Sequence, residues 1–293
     1  MLKQAMMQFS FGVREFMISQ FNLRITSVLF IFIIAATTQA QSLIPELSFK
    51  NPKLKTGKGC TGDGLDGAVY IFENVGWGMD ALVTILGRSV PSVTLSEIDL
   101  KGPEQDSVKG TGYDNAWQPR VKYGDGTAPA HTTWWMEFKI SFVKHGDQNI
   151  LMPVNQFFVS GLDIDGDGNQ LHEFQSYYQI RSFSLQRETA IFASTIQGSE
   201  SDPFLKGKRY DGTTRDYPGI SVEAEDAMVS NFYKDSGIMI LRLGAETGSS
   251  GTKSSDRMYG LLFKSLTYDV PVNKKLQGNL IAANRSERPK QIE

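Results

Sequence analysis

The sequence has a single cysteine, Cys60, so no internal disulfide can form and the fold must come from buried apolar surface. It also lacks any run of lysine or arginine interleaved with aromatic rings. With 30 basic residues, 32 acidic residues and a net charge of −2, it carries no electrostatic footprint for nucleic acid. Histidine is scarce: His131, His145 and His172 stand alone without metal-ligand spacing, and no Gly-x-Ser-x-Gly elbow is present. Zinc sites and that kind of serine nucleophile are therefore not expected. No long stretch after the N-terminal region shows the 3.6-residue apolar repeat of a helix, which argues against a helical architecture.

Long hydrophobic runs are also rare. The clearest, from Ile25 to Ala36, is interrupted only by Thr26 and Ser27 and is followed by Thr37-Thr38-Gln39-Ala40. That is the pattern of a secretory signal peptide cleaved after Ala40. At about a dozen residues the run is shorter than the roughly 20 a membrane-spanning helix needs, so no span is expected in the mature chain. The expected destination is outside the cytoplasm: secreted, periplasmic or on the cell surface. Met17 gives a tidier signal-peptide start than Met1, so residues 1–40 are read as a signal peptide behind an over-extended N-terminus. Residues 41–272 are expected to form a single β-sandwich domain. Residues 273–293, polar and without alternation, are expected to form a mobile tail.

The rest of the chain reads as strand after strand, separated by clusters of Gly, Asp, Asn and Pro. Residues 134–143 give the clearest signal. Met136, Phe138, Ile140 and Phe142 form one face, and Glu137, Lys139 and Ser141 the other, the alternation of a half-buried antiparallel strand. Further strands are expected at 68–74, 81–86, 93–100, 120–123, 156–162, 174–186, 238–243 and 259–268, with a short helix at 221–228. About nine strands without long helices predict an all-β fold, an antiparallel two-sheet sandwich in the jelly-roll style.

One loop carries chemistry. In Asp163-Ile164-Asp165-Gly166-Asp167-Gly168-Asn169, acids alternate while the glycines let the backbone wrap, so that several oxygens can converge on a calcium ion. Asp163, Asp165, Asp167, Gly168 and Asn169 match the opening register of an EF-hand loop, but Phe174 stands where the bidentate glutamate belongs. Glu173, one residue early, is the candidate replacement. The competing reading is a plain surface turn, which the same residue types also favour. Against it, three neighbouring carboxylates repel one another unless a cation relieves them. Asp63 and Asp66 are too few for a cage and read as turn residues.

Three segments resemble modules of exported and surface proteins of bacteria, including large adhesin-like ones. They are Ala68 to Val75 continuing through Gly78 to Ile85, Trp135 to Val143, and Phe158 to Gly168 continuing through Leu171 to Phe174. The resemblance implies a β-sandwich with a calcium-binding acidic loop at the cell surface or beyond it. Onto it are carried Asp163, Asp165, Asp167, Glu173 and Asp80.

Elsewhere, Glu97-Ile98-Asp99 is similar to the acidic strand of laminarinase-type hydrolases. A retaining pair needs carboxyl groups about 5–5.5 Å apart, and here Gly102 and Pro103 interrupt the strand before Glu104. No catalytic residue is assigned. Trp77, Trp117, Trp134, Trp135, Tyr177 and Tyr178 could serve as core or as a sugar-stacking platform. Trp117, beside the polar stretch Tyr113 to Ala116, is the candidate ligand residue. The expectation is a non-enzymatic, calcium-binding exported module for adhesion or envelope structure, meeting a surface glycan or another envelope protein. A carbohydrate-binding protein is the alternative, and a lectin-like glycan hydrolase the third.

Overall fold

The structure is a computed structural model that describes residues 44, 46–100, 115–217, 219–220 and 223–275. The expected signal peptide, Glu104 and residues 276–293 lie outside the described residues.

Among the described residues, seventeen strands are formed: β1 Lys53–Leu54, β2 Val69–Gly76, β3 Met79–Arg88, β4 Val93–Glu97, β5 Arg120–Tyr123, β6 Thr133–Lys144, β7 Asp147–Leu151, β8 Val154–Leu162, β9 Leu171–Tyr178, β10 Ser182–Gln186, β11 Phe192–Gln197, β12 Lys206–Asp211, β13 Val229–Ser236, β14 Ile238–Thr247, β15 Asp256–Met258, β16 Gly260–Leu262 and β17 Pro271–Lys275. A nine-stranded antiparallel sheet runs β1-β2-β3-β6-β14-β9-β12-β11, with β7 folding back on β6. The five-stranded sheet β16-β8-β13-β10-β17 covers it, and β15-β5-β4 form a small third sheet. The fold is the expected all-β sandwich.

The alternation in β6 decides how the sheets meet. Met136, Phe138, Ile140 and Phe142 are fully buried, as are Met239, Leu241 and Leu243 beside them on β14. Rings then lock the layers together: Phe142 stands edge-on to Phe157 of β8 with centroids 5.3 Å apart, and Tyr210 of β12 to Phe183 of β10 at 5.4 Å. The Tyr210 hydroxyl donates to Asn231 Oδ1 across the layers at 2.7 Å, so the buried polar tip is satisfied.

Glu137 corrects the sequence reading of the opposite face. It is fully buried rather than solvated, because Arg242 of β14 and the β11–β12 connection cover it. Arg242 Nε donates to Glu137 Oε2 at 2.6 Å, and the Glu200 N–H donates to Oε1 at 2.8 Å. The single strand expected at 174–186 is two strands, because Gln179 adopts φ 58° and breaks the extended run. The helix expected at 221–228 is a single 3-10 turn at Glu225–Ala227. The expected tail contributes residues as far as Lys275 to β17, which pairs with β10.

Candidate functional site

The acidic loop joins β8 to β9 and is clamped between β9 and residues 212–217. Gly166 donates its N–H to the Arg215 carbonyl at 2.9 Å, Gly168 to that of Thr214 at 2.8 Å, and Glu173 to that of Asp165 at 2.6 Å. Gly166 is required by close approach: a Cβ there would meet the Leu171 carbonyl oxygen at 2.3 Å and the Thr213 carbonyl oxygen at 2.6 Å.

The expected ligands divide into two groups. Asp167 serves the turn. Its Oδ1 accepts the N–H groups of Asn169, Gln170 and Leu171 at 3.0, 2.8 and 2.9 Å, and its Oδ2 accepts the Thr252 hydroxyl. Burial pushes its pKa up, but these donors outweigh burial and hold the carboxyl below the usual range. Asn169 is exposed at the loop tip, with its N–H spent on Asp167.

Asp163, Asp165 and Glu173 form the second group, around a residue that sequence spacing did not reveal. Arg257 of β15 donates from Nε to Glu173 Oε1 at 2.6 Å, and from Nη2 to Asp165 Oδ1 and the Gly166 carbonyl, both at 3.1 Å. Asp165 Oδ2 accepts the Tyr217 N–H at 2.7 Å. Glu173 projects from the inner face of β9, opposite Ala245, and is 1% exposed. One guanidinium does not satisfy the group: Glu173 Oε2 and Asp163 Oδ1 are buried with no hydrogen-bond partner.

The electrostatics follow from burial. Asp163 is pushed up to about 8, first by burial and then by the charge of Asp165. Burial lifts Asp165 to about 6, against the Tyr217 N–H and Arg257. Glu173 is raised well above the usual range by burial, with Arg257 opposing and Asp165 and Asp163 adding. Exposed Asp216 adds repulsion at Asp163 and Asp165. The site therefore gathers more buried carboxyl groups than its one guanidinium can offset, and burial favours their protonated forms. Among the described residues, no three acidic, histidine or cysteine side chains already converge as a metal cage. Asp167 and Asn169 thus spend their polar groups on the turn, whereas Asp163 Oδ1 and Glu173 Oε2 are the buried oxygens left open near Arg257.

Asp80 lies in a different place. Its side chain is buried at the β2–β3 end of the large sheet and accepts the Asn74 N–H at 2.9 Å, the Gly146 N–H at 3.2 Å and His145 Nδ1 at 2.7 Å. Burial pushes its pKa up, but the His145 hydrogen bond and the two N–H groups bring it below the usual range. Asp63 accepts the Tyr70 hydroxyl and Asp66 pairs with Arg88 at 2.7 Å, both beside a tight turn.

The aromatic platform is also redistributed. Trp117 is fully buried, with Nε1 donating to the Ile98 carbonyl at 2.7 Å and its ring edge-on to Phe138. A buried ring cannot be stacked upon from solvent, which corrects its assignment as the ligand residue. Trp134, Tyr177 and Tyr178 are buried as well, and Trp135 lies under the Arg242 guanidinium at 4.1 Å. Trp77 alone of the six is prominently exposed, at 58%. Asp99 is buried and accepts the Gln118 N–H at 2.9 Å; burial is the main cause that lifts it to about 7.

No protein-family profile matches the sequence, and no curated protein does. Among solved structures, the chain is similar to the N-terminal domain of a Streptococcus gordonii adhesin, at 13% identity and a TM-score of 0.41. The match covers 77% of this chain and 59% of that one, so the chain spans less than two thirds of its length. No helix among the described residues is long and apolar enough to cross a membrane.

Proposed function

We propose that the chain is an exported β-sandwich module for adhesion or cell-envelope structure, stiffened by calcium at the junction of the β8–β9 loop with β9 and β15. The observation that carries this reading is Glu173, which is buried, ion-paired through one oxygen and without a partner at the other, beside Asp163 and Asp165. A buried carboxylate left half-satisfied costs free energy that a cation recovers. Calcium is the cation suited to mixed carboxylate, carbonyl and water oxygens in a loose shell, and extracellular modules hold it at roughly 10⁻⁴–10⁻³ M. Asp163 and Glu173 would supply the carboxylates, while Arg257 keeps Asp165 in place and Asp167 keeps the loop folded. Export accounts for the apolar run ahead of Gln41, and the N-terminus of the secreted protein is expected at Gln41.

The test is thermal melting with calcium and with chelator. A cation that binds only the folded state stabilises it by about 2.7 kcal/mol at a hundredfold excess over Kd. Wild type is expected to melt higher in millimolar calcium. Asp163→Asn is expected to lose most of that rise, while melting in chelator at an equal or higher temperature because the amide cannot ionise in this buried place. Equal calcium shifts in both proteins, or none in either, would overturn the calcium reading.

A further inference from the structure

The β2–β3 hairpin turns on two residues, Trp77 and Gly78, closed by the Gly76–Met79 pair. Both have positive φ, 51° and 70°, the signature of a type I′ turn. Asn, Asp or Gly normally fills the first of these positions, because a Cβ is disfavoured in the left-handed region and most of all when the side chain is bulky. A tryptophan there is offset by little burial, since its ring is 58% exposed. An exposed ring held in a disfavoured backbone conformation contributes little to the core, and strain of this sort gathers where ligands are met.

A second arrangement at the same end ties this turn to the one beside it. Buried Asp80 accepts the Asn74 N–H ahead of the turn and the Gly146 N–H from the β6–β7 turn, tying the two turns together. His145 adds a third tie, its N–H donating to the Gly78 carbonyl at 2.8 Å. Its Nδ1 lies 2.7 Å from Asp80 Oδ1. A carboxylate only accepts, so Nδ1 carries a proton, and Nε2 is the ring nitrogen left to meet a ligand, on a side chain 48% exposed. The tip thus combines a flat apolar ring with an imidazole oriented by Asp80. Its polar neighbours are mixed: Lys144 and the uncharged Asn74 are exposed, and Glu73 is already paired to Lys53 at 2.7 Å. A lipid-surface anchor would call for a cluster of basic residues instead.

We propose that Trp77 and His145 form a binding site for a neutral pyranose unit of a glycan, its apolar face stacked on the indole and a hydroxyl hydrogen-bonded to His145 Nε2. Asp80 is the positioning residue that sets both. The site stands apart from the calcium reading and does not depend on it.

The experiment titrates the full secreted chain, followed by tryptophan fluorescence, with neutral β-glucan, xylan, mannan and chitin oligosaccharides. Wild type is expected to bind at least one of them. Trp77→Asn, which places the preferred residue in this turn, is expected to weaken that binding by about tenfold or more, roughly 1.4 kcal/mol or more, while melting at the same or a higher temperature. Trp77→Phe is expected to retain part of the affinity, and His145→Ala to lose several-fold. Binding of none of the four glycan classes would overturn the proposal, as would undiminished binding by Trp77→Asn. A large fall in the melting temperature of Trp77→Asn would assign the ring a structural role instead. Capture of wild type but not Trp77→Asn by phosphatidylglycerol vesicles would reassign the tip to lipid.

Discussion

Arg257 and Glu173 are 84 residues apart in sequence, yet Nε of one donates to Oε1 of the other at 2.6 Å inside the sandwich. The pair joins the small third sheet to the large one, and it explains how an acidic side chain can project from the inner face of β9. Two ions taken out of water gain little net stability from each other, but removing one strands the other.

Arg257→Met is therefore expected to cost about 3–5 kcal/mol in urea unfolding with chelator present. Adding Glu173→Leu to it is expected to recover much of the loss, because the stranded carboxylate is then gone. A single variant as stable as wild type, or a double variant no better than the single, would show that the pair does not organise this junction.

The pH dependence is expected to carry the signature of Asp99, whose carboxyl is lifted to about 7 mainly by burial. From the ordinary aspartate value of 3.8 up to about 7, the folded state keeps a proton that the unfolded state has lost. Stability contributed by this group is thus present at the acid end and falls as pH rises through that window. Asp99→Asn cannot ionise, and its amide oxygen can still accept the Gln118 N–H. Its stability relative to wild type should rise across the window by on the order of a few kcal/mol, at about 1.4 kcal/mol per pKa unit. Parallel pH profiles for the two proteins would contradict the burial of this carboxyl.

How much of this was legible follows from range. The alternation of Met136, Phe138, Ile140 and Phe142 is a local signal with a period of two, and it correctly gave the buried face of β6. The Asp-Gly loop was legible as a loop for the same reason. Glu137 was misread because its cover comes from Arg242 and Glu200, far along the chain, which no local pattern announces. Arg257 was missed for the same reason. β12 and β13 are not among the strands expected from sequence, since Lys206 to Asp211 and Val229 to Ser236 gain their strand character from neighbours on both sides. The Trp77-Gly78 turn did carry a local clue: a glycine in the second position of a two-residue link between alternating runs marks a type I′ hairpin. Followed through, it places Trp77 at an exposed tip.

On the outer face of the large sheet, Glu137→Ala is expected to release both Arg242 and the Glu200 N–H. The cost should be about 3–5 kcal/mol, as for other broken buried pairs. Hydrogen exchange should then quicken at Gly198, Ser199 and Leu205, whose N–H groups close the β11–β12 connection. Unchanged protection there would show that the connection holds itself in place without Glu137.

Trp117 serves the core, which leaves the proposed glycan contact to Trp77. Trp117 has no exposed surface, donates to the Ile98 carbonyl at 2.7 Å and packs edge-on to Phe138 at 5.1 Å. Trp117→Phe keeps an aromatic ring in the core but removes the N–H, leaving the Ile98 carbonyl without that donor. Such a loss costs about 1–3 kcal/mol, plus a smaller cavity term. The expected result is a lower melting temperature with glycan affinity unchanged, the reverse of Trp77→Asn. If Trp117→Phe instead lost glycan binding while melting as wild type does, Trp117 would have to be accessible to the sugar, and the core packing of β6 against the residues that precede β5 would need revision.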